Sequence, residues 1–200
     1  MTVADASHPE FESLLAQVRA CRACDLPHEP RPVVRAAASA RLLIAGQAPG
    51  TRVHESGIPF DDRSGDRLRD WMGLDRETFY DTSRIAIVPM GFCFPGQDGK
   101  GGDLPPRREC APLWRARIMA ALPHVQLTLV IGQYAQAWHL GKAARPTLTD
   151  TVRNWQAYLP DALPLPHPSW RNTAWLKRNP WFEAEVLPVL RREVRRLCGS

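Results

Sequence analysis

Long apolar runs are missing from this chain: no stretch approaches ~18 uninterrupted apolar residues, so no membrane-spanning helix is expected. The opening MTVADASHPE has neither a basic start nor an apolar run. No secretory signal is expected from it, and the cytoplasm is the expected compartment. Cysteine is sparse, at five in 200 residues. Without an export signal, disulfides are not expected, and metal or cluster ligation is the better question. There is no internal repeat and no low-complexity tract. No flavin or nicotinamide fingerprint accompanies the cysteines, which leaves a redox protein as the weakest of the functional readings.

What is present describes a globular protein. With 44% hydrophobic and 24% charged residues, the chain can bury a sizeable core, and residues 1–200 are read as one domain, expected to be a monomer. Lys and Arg number 26 against 21 acids, a net charge of +5. That balance suits a polyanionic partner such as DNA. Much of the excess lies at Lys177, Arg178, Arg191, Arg192, Arg195 and Arg196, where a solvated helix face is the plainer explanation.

Periodicity predicts a helix over 7–20, with Ser7 as cap and Phe11, Leu14, Leu15 and Val18 as its apolar stripe. Residues 25–38, with Pro27, Pro30 and Pro32, read as an extended linker. Short apolar runs at 41–45, 85–88 and 127–131, and around Leu163–Leu165, read as buried strands. Helical patterns fall at 64–72, 107–122, after Gly132, at 147–158 and from Pro180. In the last, Asn179 is the expected cap and Pro188 the expected kink. Residues 91–106, rich in Gly and Pro, read as a long loop. Strands alternating with helices predict a three-layer α/β/α sandwich around a four-stranded, mainly parallel sheet. In such sheets ligands bind at the carboxyl ends of the strands. GQAPG (46–50), PMGFC (89–93), the Gly132 turn and HPSWRN (167–172) all fall there.

Cys21 and Cys24 form a C-x2-C pair, and Cys93 and Cys110 follow across a loop. Together they can supply four thiolates to one centre, and their count does not distinguish an iron–sulfur cluster from zinc. Such a centre would tie the N-terminal helix to the 91–110 segment. Cys198 is left over as a free thiol.

GQAPGTRVHESGIPF (46–60), His167-Pro168-Ser169 and the four cysteines resemble the uracil-DNA glycosylase superfamily, closest to its iron–sulfur, family-four branch. HPSWRN also resembles the H-P-S-P-R-N of single-strand-selective relatives. The likeness spans roughly residues 10–195. It implies a DNA-repair enzyme that flips a damaged or deaminated base, uracil or related, and hydrolyses its N-glycosidic bond. It further implies a 4Fe–4S cluster on Cys21, Cys24, Cys93 and Cys110, zinc being the alternative. Gly46, Ala48, Phe60 and Pro89 would bind the base, with Phe60 stacking on it. His167, Gln47 and His54 would serve catalysis, His167 together with GQAPG amides stabilising the departing anion. Pro168, Ser169, Trp170, Arg171 and Asn172 would meet the DNA.

The chain departs from the family pattern at four positions. Gln47 replaces the acid after the first glycine; Val53 and His54 replace two further residues, usually acidic; Pro89 replaces the Asn that reads the uracil edge. An amide cannot act as a base. His54, Glu55, Asp61 and Asp62 are the nearest ionisable groups, although the two aspartates are well placed to cap the 64–72 helix. These departures sustain a second reading, a catalytically weak or inactive nucleic-acid-binding protein on the same scaffold.

Overall fold

The structure, a computed structural model, describes residues 8–199. Four short strands, β1 (Leu42–Ala45), β2 (Ile85–Ile87), β3 (Leu127–Ile131) and β4 (Ala162–Leu165), form one sheet in the order β2-β1-β3-β4. Every pairing is parallel, with Leu42 opposite both Ile85 and Leu127, and Thr128 opposite Ala162. The helices are α1 (His8–Arg19), α2 (Thr51–Ser56), α3 (Arg63–Met72), α4 (Arg76–Phe79), α5 (Ala116–Ala120), α6 (Gly132–Leu140), α7 (Leu148–Arg153), α8 (Thr173–Arg178) and α9 (Leu187–Cys198).

The strands are apolar without a break because both sheet faces are covered. Alternate side chains go to opposite layers. Leu42, Ile44, Ile85, Ile87, Leu127 and Leu129 pack with Leu68 and Trp71 of α3 and Leu190 and Val194 of α9. Leu43, Ala86 and Val88 pack on the other side with Phe11, Leu15 and Val18 of α1 and Ile118 of α5. The expected three-layer sandwich is present, with all four strands parallel. Among the described residues no helix is long and apolar enough to cross a membrane.

The structure refines several local expectations. Ser7 lies outside the described residues. The predicted 107–122 helix begins later, as a π turn over Ala111–Arg115 that runs into α5. Asn179 does not cap. Its amide donates to the Trp175 carbonyl and its Oδ1 accepts from the Trp181 indole, so it fastens two tryptophans instead. Pro188 sits in the first turn of α9, just after a π turn over Phe182–Val186. There its missing N–H costs nothing, so the helix restarts at this point. Short α2, α4 and α8 have too few residues to show a period. Arg191 donates to the Asp70 and Trp71 carbonyls, and Arg192 and Arg196 pair with Glu193, which accounts for much of the C-terminal basic cluster locally.

From β1 the chain moves to β2 on one side and then to β3 on the other. The sheet's switch point therefore lies between the carboxyl ends of β1 and β3, where a crevice is expected in this architecture.

Candidate active site

A cavity of about 300 Å³ opens at that switch point. Gly46, Gln47, Ala48 and Gly50 form its floor beyond β1. Phe60 and Asp62 come from the segment before α3, Pro89 from beyond β2, and His167, Ser169, Arg171 and Asn172 from the loop after β4. The sequence motifs therefore converge, although they are up to 126 positions apart (172 − 46). The floor is pinned by main-chain bonds: Met90 N–H donates to the Gly46 carbonyl and Gly91 N–H to that of Gln47, both at 2.9 Å.

Phe60 has φ of 56°, a left-handed conformation that a bulky residue adopts only when its surroundings impose it. Several contacts do so. The Tyr80 hydroxyl donates to the Pro59 carbonyl at 2.8 Å, and buried Arg69 donates to the Phe60 carbonyl at 3.3 Å. That carbonyl lies so close to Gly65 that a Cβ there would overlap it. The ring reaches Gly46, where a Cβ would stand 3.1 Å from Cζ, so any side chain at position 46 would press on the Phe60 ring.

His167 is half-buried above Gly132, whose φ of 79° permits the tight turn from β3 into α6. The Ser169 backbone N–H lies 3.2 Å from His167 Nδ1. An amide can only donate, so Nδ1 carries the lone pair and the proton of the neutral ring resides on Nε2. Burial pushes the imidazole pKa below its ordinary value, while the charges of Asp62 and Asp103 pull it back up. Asn172 Nδ2 donates to the His167 carbonyl at 2.7 Å, and Arg67 donates to that of Ser169 at 3.1 Å. The loop is thus tied at both ends.

His54 and Pro168 depart from their expected positions. His54 does not line the cavity: its ring packs on His28 and Phe94, 4.7 and 5.7 Å away, with Nδ1 buried and unpaired. Burial and the neighbouring His28 and Arg31 lower its pKa. Pro168, expected at the DNA, is buried and shapes the loop from below. Trp170 stands 68% exposed outside the cavity, with the Arg171 guanidinium 5.7 Å from its ring. Asp61 pairs with Arg76, whereas Asp62 caps α3 by accepting from Gly65 N–H at 2.8 Å. The sequence reading missed Asp103, which reaches the cavity from the 91–106 loop. A lone acid in a Gly-rich loop carries no periodic or motif signal.

Cys21, Cys24, Cys93 and Cys110 line a second pocket together with Pro30, Pro32, Phe92 and Trp114. The Trp114 indole N–H donates to Cys21 Sγ at 3.2 Å, and Phe92 N–H to Cys110 Sγ at 3.3 Å. Burial pushes the Cys93 thiol up to about 11 and the Cys110 thiol up to about 12. Among the described residues no three His, Cys, Asp or Glu are arranged to hold a single metal ion. Cys198 lies elsewhere, buried in α9 and in no disulfide.

Between the two pockets runs the segment 88–93. Fully buried Arg115 holds it from the π turn, donating to the Val88 and Pro89 carbonyls at 3.0 and 2.9 Å. The same guanidinium donates to His139 Nε2 and lies 5.0 Å from the Trp138 ring.

A model of the protein family described as Uracil DNA glycosylase superfamily matches residues 34–191, more than half of the chain.

Proposed function

Because the chain belongs to the uracil DNA glycosylase superfamily, we propose that it hydrolyses the N-glycosidic bond of a damaged or deaminated base, uracil or related, that has been turned out of DNA into the β1–β3 cavity. Phe60 offers the face on which the base stacks, against the Gly46–Ala48 floor. Trp170, outside the mouth, and Arg171, on the cavity wall beside it, meet the strand from which the base is taken. As the C1′–N bond breaks, negative charge grows on the base. A neutral imidazole donating from Nε2 stabilises that charge without first having to lose a proton.

The observation that carries this reading is the Ser169 N–H to His167 Nδ1 bond, which fixes the tautomer with its donor on the far nitrogen. Pro89 places no side-chain donor in the cavity wall, and its carbonyl is occupied by Arg115. The reading therefore extends to bases beyond uracil. The alternative, a binding protein without catalysis, is favoured by Gln47 in the acid's place.

Cys21, Cys24, Cys93 and Cys110 would hold a 4Fe–4S cluster in this reading; zinc, the alternative for the same thiols, would need them gathered around one ion, an arrangement they do not have in this structure. The Trp114 and Phe92 N–H groups aimed at the Cys21 and Cys110 sulfurs are donors of the kind that surround cluster-bound sulfur, and a bound metal group would displace the thiol protons that burial otherwise retains. The group would clamp α1 and its linker to the 91–110 loop. Metal analysis and the visible spectrum of purified protein test it: iron and a broad visible band are expected, and zinc without colour favours the alternative.

Activity is tested with oligonucleotides carrying uracil, hypoxanthine, xanthine or a thymine mismatch, single- and double-stranded. An abasic product is expected from at least one of them. His167→Ala should lower its rate by roughly 10²–10³-fold, as for loss of one preorganised donor. Tight DNA binding with no abasic product across the panel would establish the binding-protein reading instead.

A further inference from the structure

Base excision also requires something to take a proton from the attacking water, and Gln47 cannot do so. Two carboxylates line the cavity, Asp62 and Asp103. Asp62 is engaged as the α3 cap through a 2.8 Å bond from Gly65 N–H. Asp103 is less committed: Oδ1 accepts a long 3.4 Å bond from Gln97 Nε2, and Oδ2 lies over Gly50, 3.3 Å from where a Cβ would stand.

Asp103 is carried on a preformed hairpin. Gln97 and Asp103 pair as an antiparallel bridge, and Asp98 closes the turn by accepting from Lys100 and Gly102 N–H, both at 2.8 Å. Arg171 Nη2 donates to the Gly101 carbonyl at 3.0 Å and so ties this hairpin to the loop that carries His167. Asp103 is exposed at the mouth. With the base stacked inside on Phe60, the sugar would lie at that mouth, where water arrives.

We infer that Asp103 is a catalytic residue, the carboxylate that accepts a proton from the water attacking C1′. The inference rests on the base-excision reading above. The water oxygen bonds to C1′ as the C1′–N bond breaks. The bonding pair leaves with the base toward His167 Nε2–H, the water proton passes to Asp103, and the base anion is then protonated from solvent. Asp103 thus takes over, from a different loop, a task for which position 47 lacks the chemistry.

The test is single-turnover excision by the full chain, on whichever oligonucleotide of the panel the unmodified protein cleaves best. Asp103→Asn should slow the chemical step by roughly 10²-fold or more, in the range of general-base effects, while DNA binding changes less than twofold. Asp103→Glu should recover part of the rate. Added formate should accelerate Asp103→Ala but leave the unmodified protein unchanged, a response that a loop-shaping role would not produce. An Asp103→Asn protein within twofold of the unmodified rate, or an Asp103→Ala protein indifferent to formate, overturns the inference and leaves base excision standing. An unmodified protein that yields no abasic product overturns both.

Discussion

The two pockets on either side of the 88–93 segment differ in how they are made. The cavity beyond β1 and β3 is walled by loops from three strand ends, those of β1, β2 and β4, and its groups are held by hydrogen bonds that each involve the main chain: Ser169 N–H to His167, Asn172 to the His167 carbonyl, Arg69 and Tyr80 to the Phe60 corner. The thiol pocket brings together α1's exit, a proline-rich linker and a loop, elements with little apolar content of their own. One site is rigid because the fold makes it so. The other gathers the end of α1, a linker and a loop around four sulfurs, and a thiolate-bound group would add cohesion between them. The difference separates two kinds of damage: substitutions in the cavity should cost rate, and those at the thiols should cost integrity.

Arg115 is where that separation should break down, and its loss should have the largest effect on stability. Arg115→Met leaves the buried Val88 and Pro89 carbonyls without their donor, at ~1–3 kcal/mol each. A drop of about 2–5 kcal/mol in unfolding free energy is expected in denaturant titrations. Because Pro89 lines the cavity and Phe92–Cys93 the other pocket, excision rate and thiol-bound metal should decline together. A variant that loses only one of the two would show that the shared segment does not couple them.

Acid should act next, through His139. Burial and the Arg115 charge hold its pKa at about 3, while an unfolded histidine titrates near ~6.5. Between those values the unfolded chain binds the extra proton, so stability falls as pH falls through that window. From pH 7 to pH 5 the loss should reach up to about 2 kcal/mol, seen as a falling melting temperature. His139→Gln should flatten the slope. An equally steep slope in that variant would move the acid sensitivity to other groups.

The smallest effect on stability is expected at the cavity's rim. Trp170 is 68% exposed, so Trp170→Ala should alter unfolding free energy by less than about 0.5 kcal/mol. Excision from duplex DNA should suffer more than excision from a single strand, because only the duplex needs its stack opened. Equal losses on both substrates would remove Trp170 from base flipping.

The fold was legible in the sequence because its strands are continuous apolar runs of the length buried parallel sheets require, each ending in a Gly- or Pro-marked loop. The cavity was legible where motifs carry their own spacing: Gly46, Phe60 and His167 meet as expected. It was illegible where long-range packing decides. His54 looks like a replacement acid–base group along the chain, yet α2 turns its ring toward His28 and Phe94. Pro168 sits inside the HPSWRN motif, expected at the DNA, but is buried in the protein. Asp103 joins the cavity only because the hairpin over residues 97–103 and Arg171 carry it there. The buried Arg115–His139 contact follows from the π turn, which no periodicity announced.

The most direct test of the central claim is the protonation state of His167, read from imidazole ¹⁵N–¹H correlations of selectively labelled protein across pH 5.5–8, a window chosen around the ordinary histidine value of ~6.5. A neutral ring with its proton on Nε2 at neutral pH is the expected result. An imidazolium at neutral pH, or a proton on Nδ1, would contradict it, because the ring could not then offer the cavity the neutral donor from which the proposed chemistry starts.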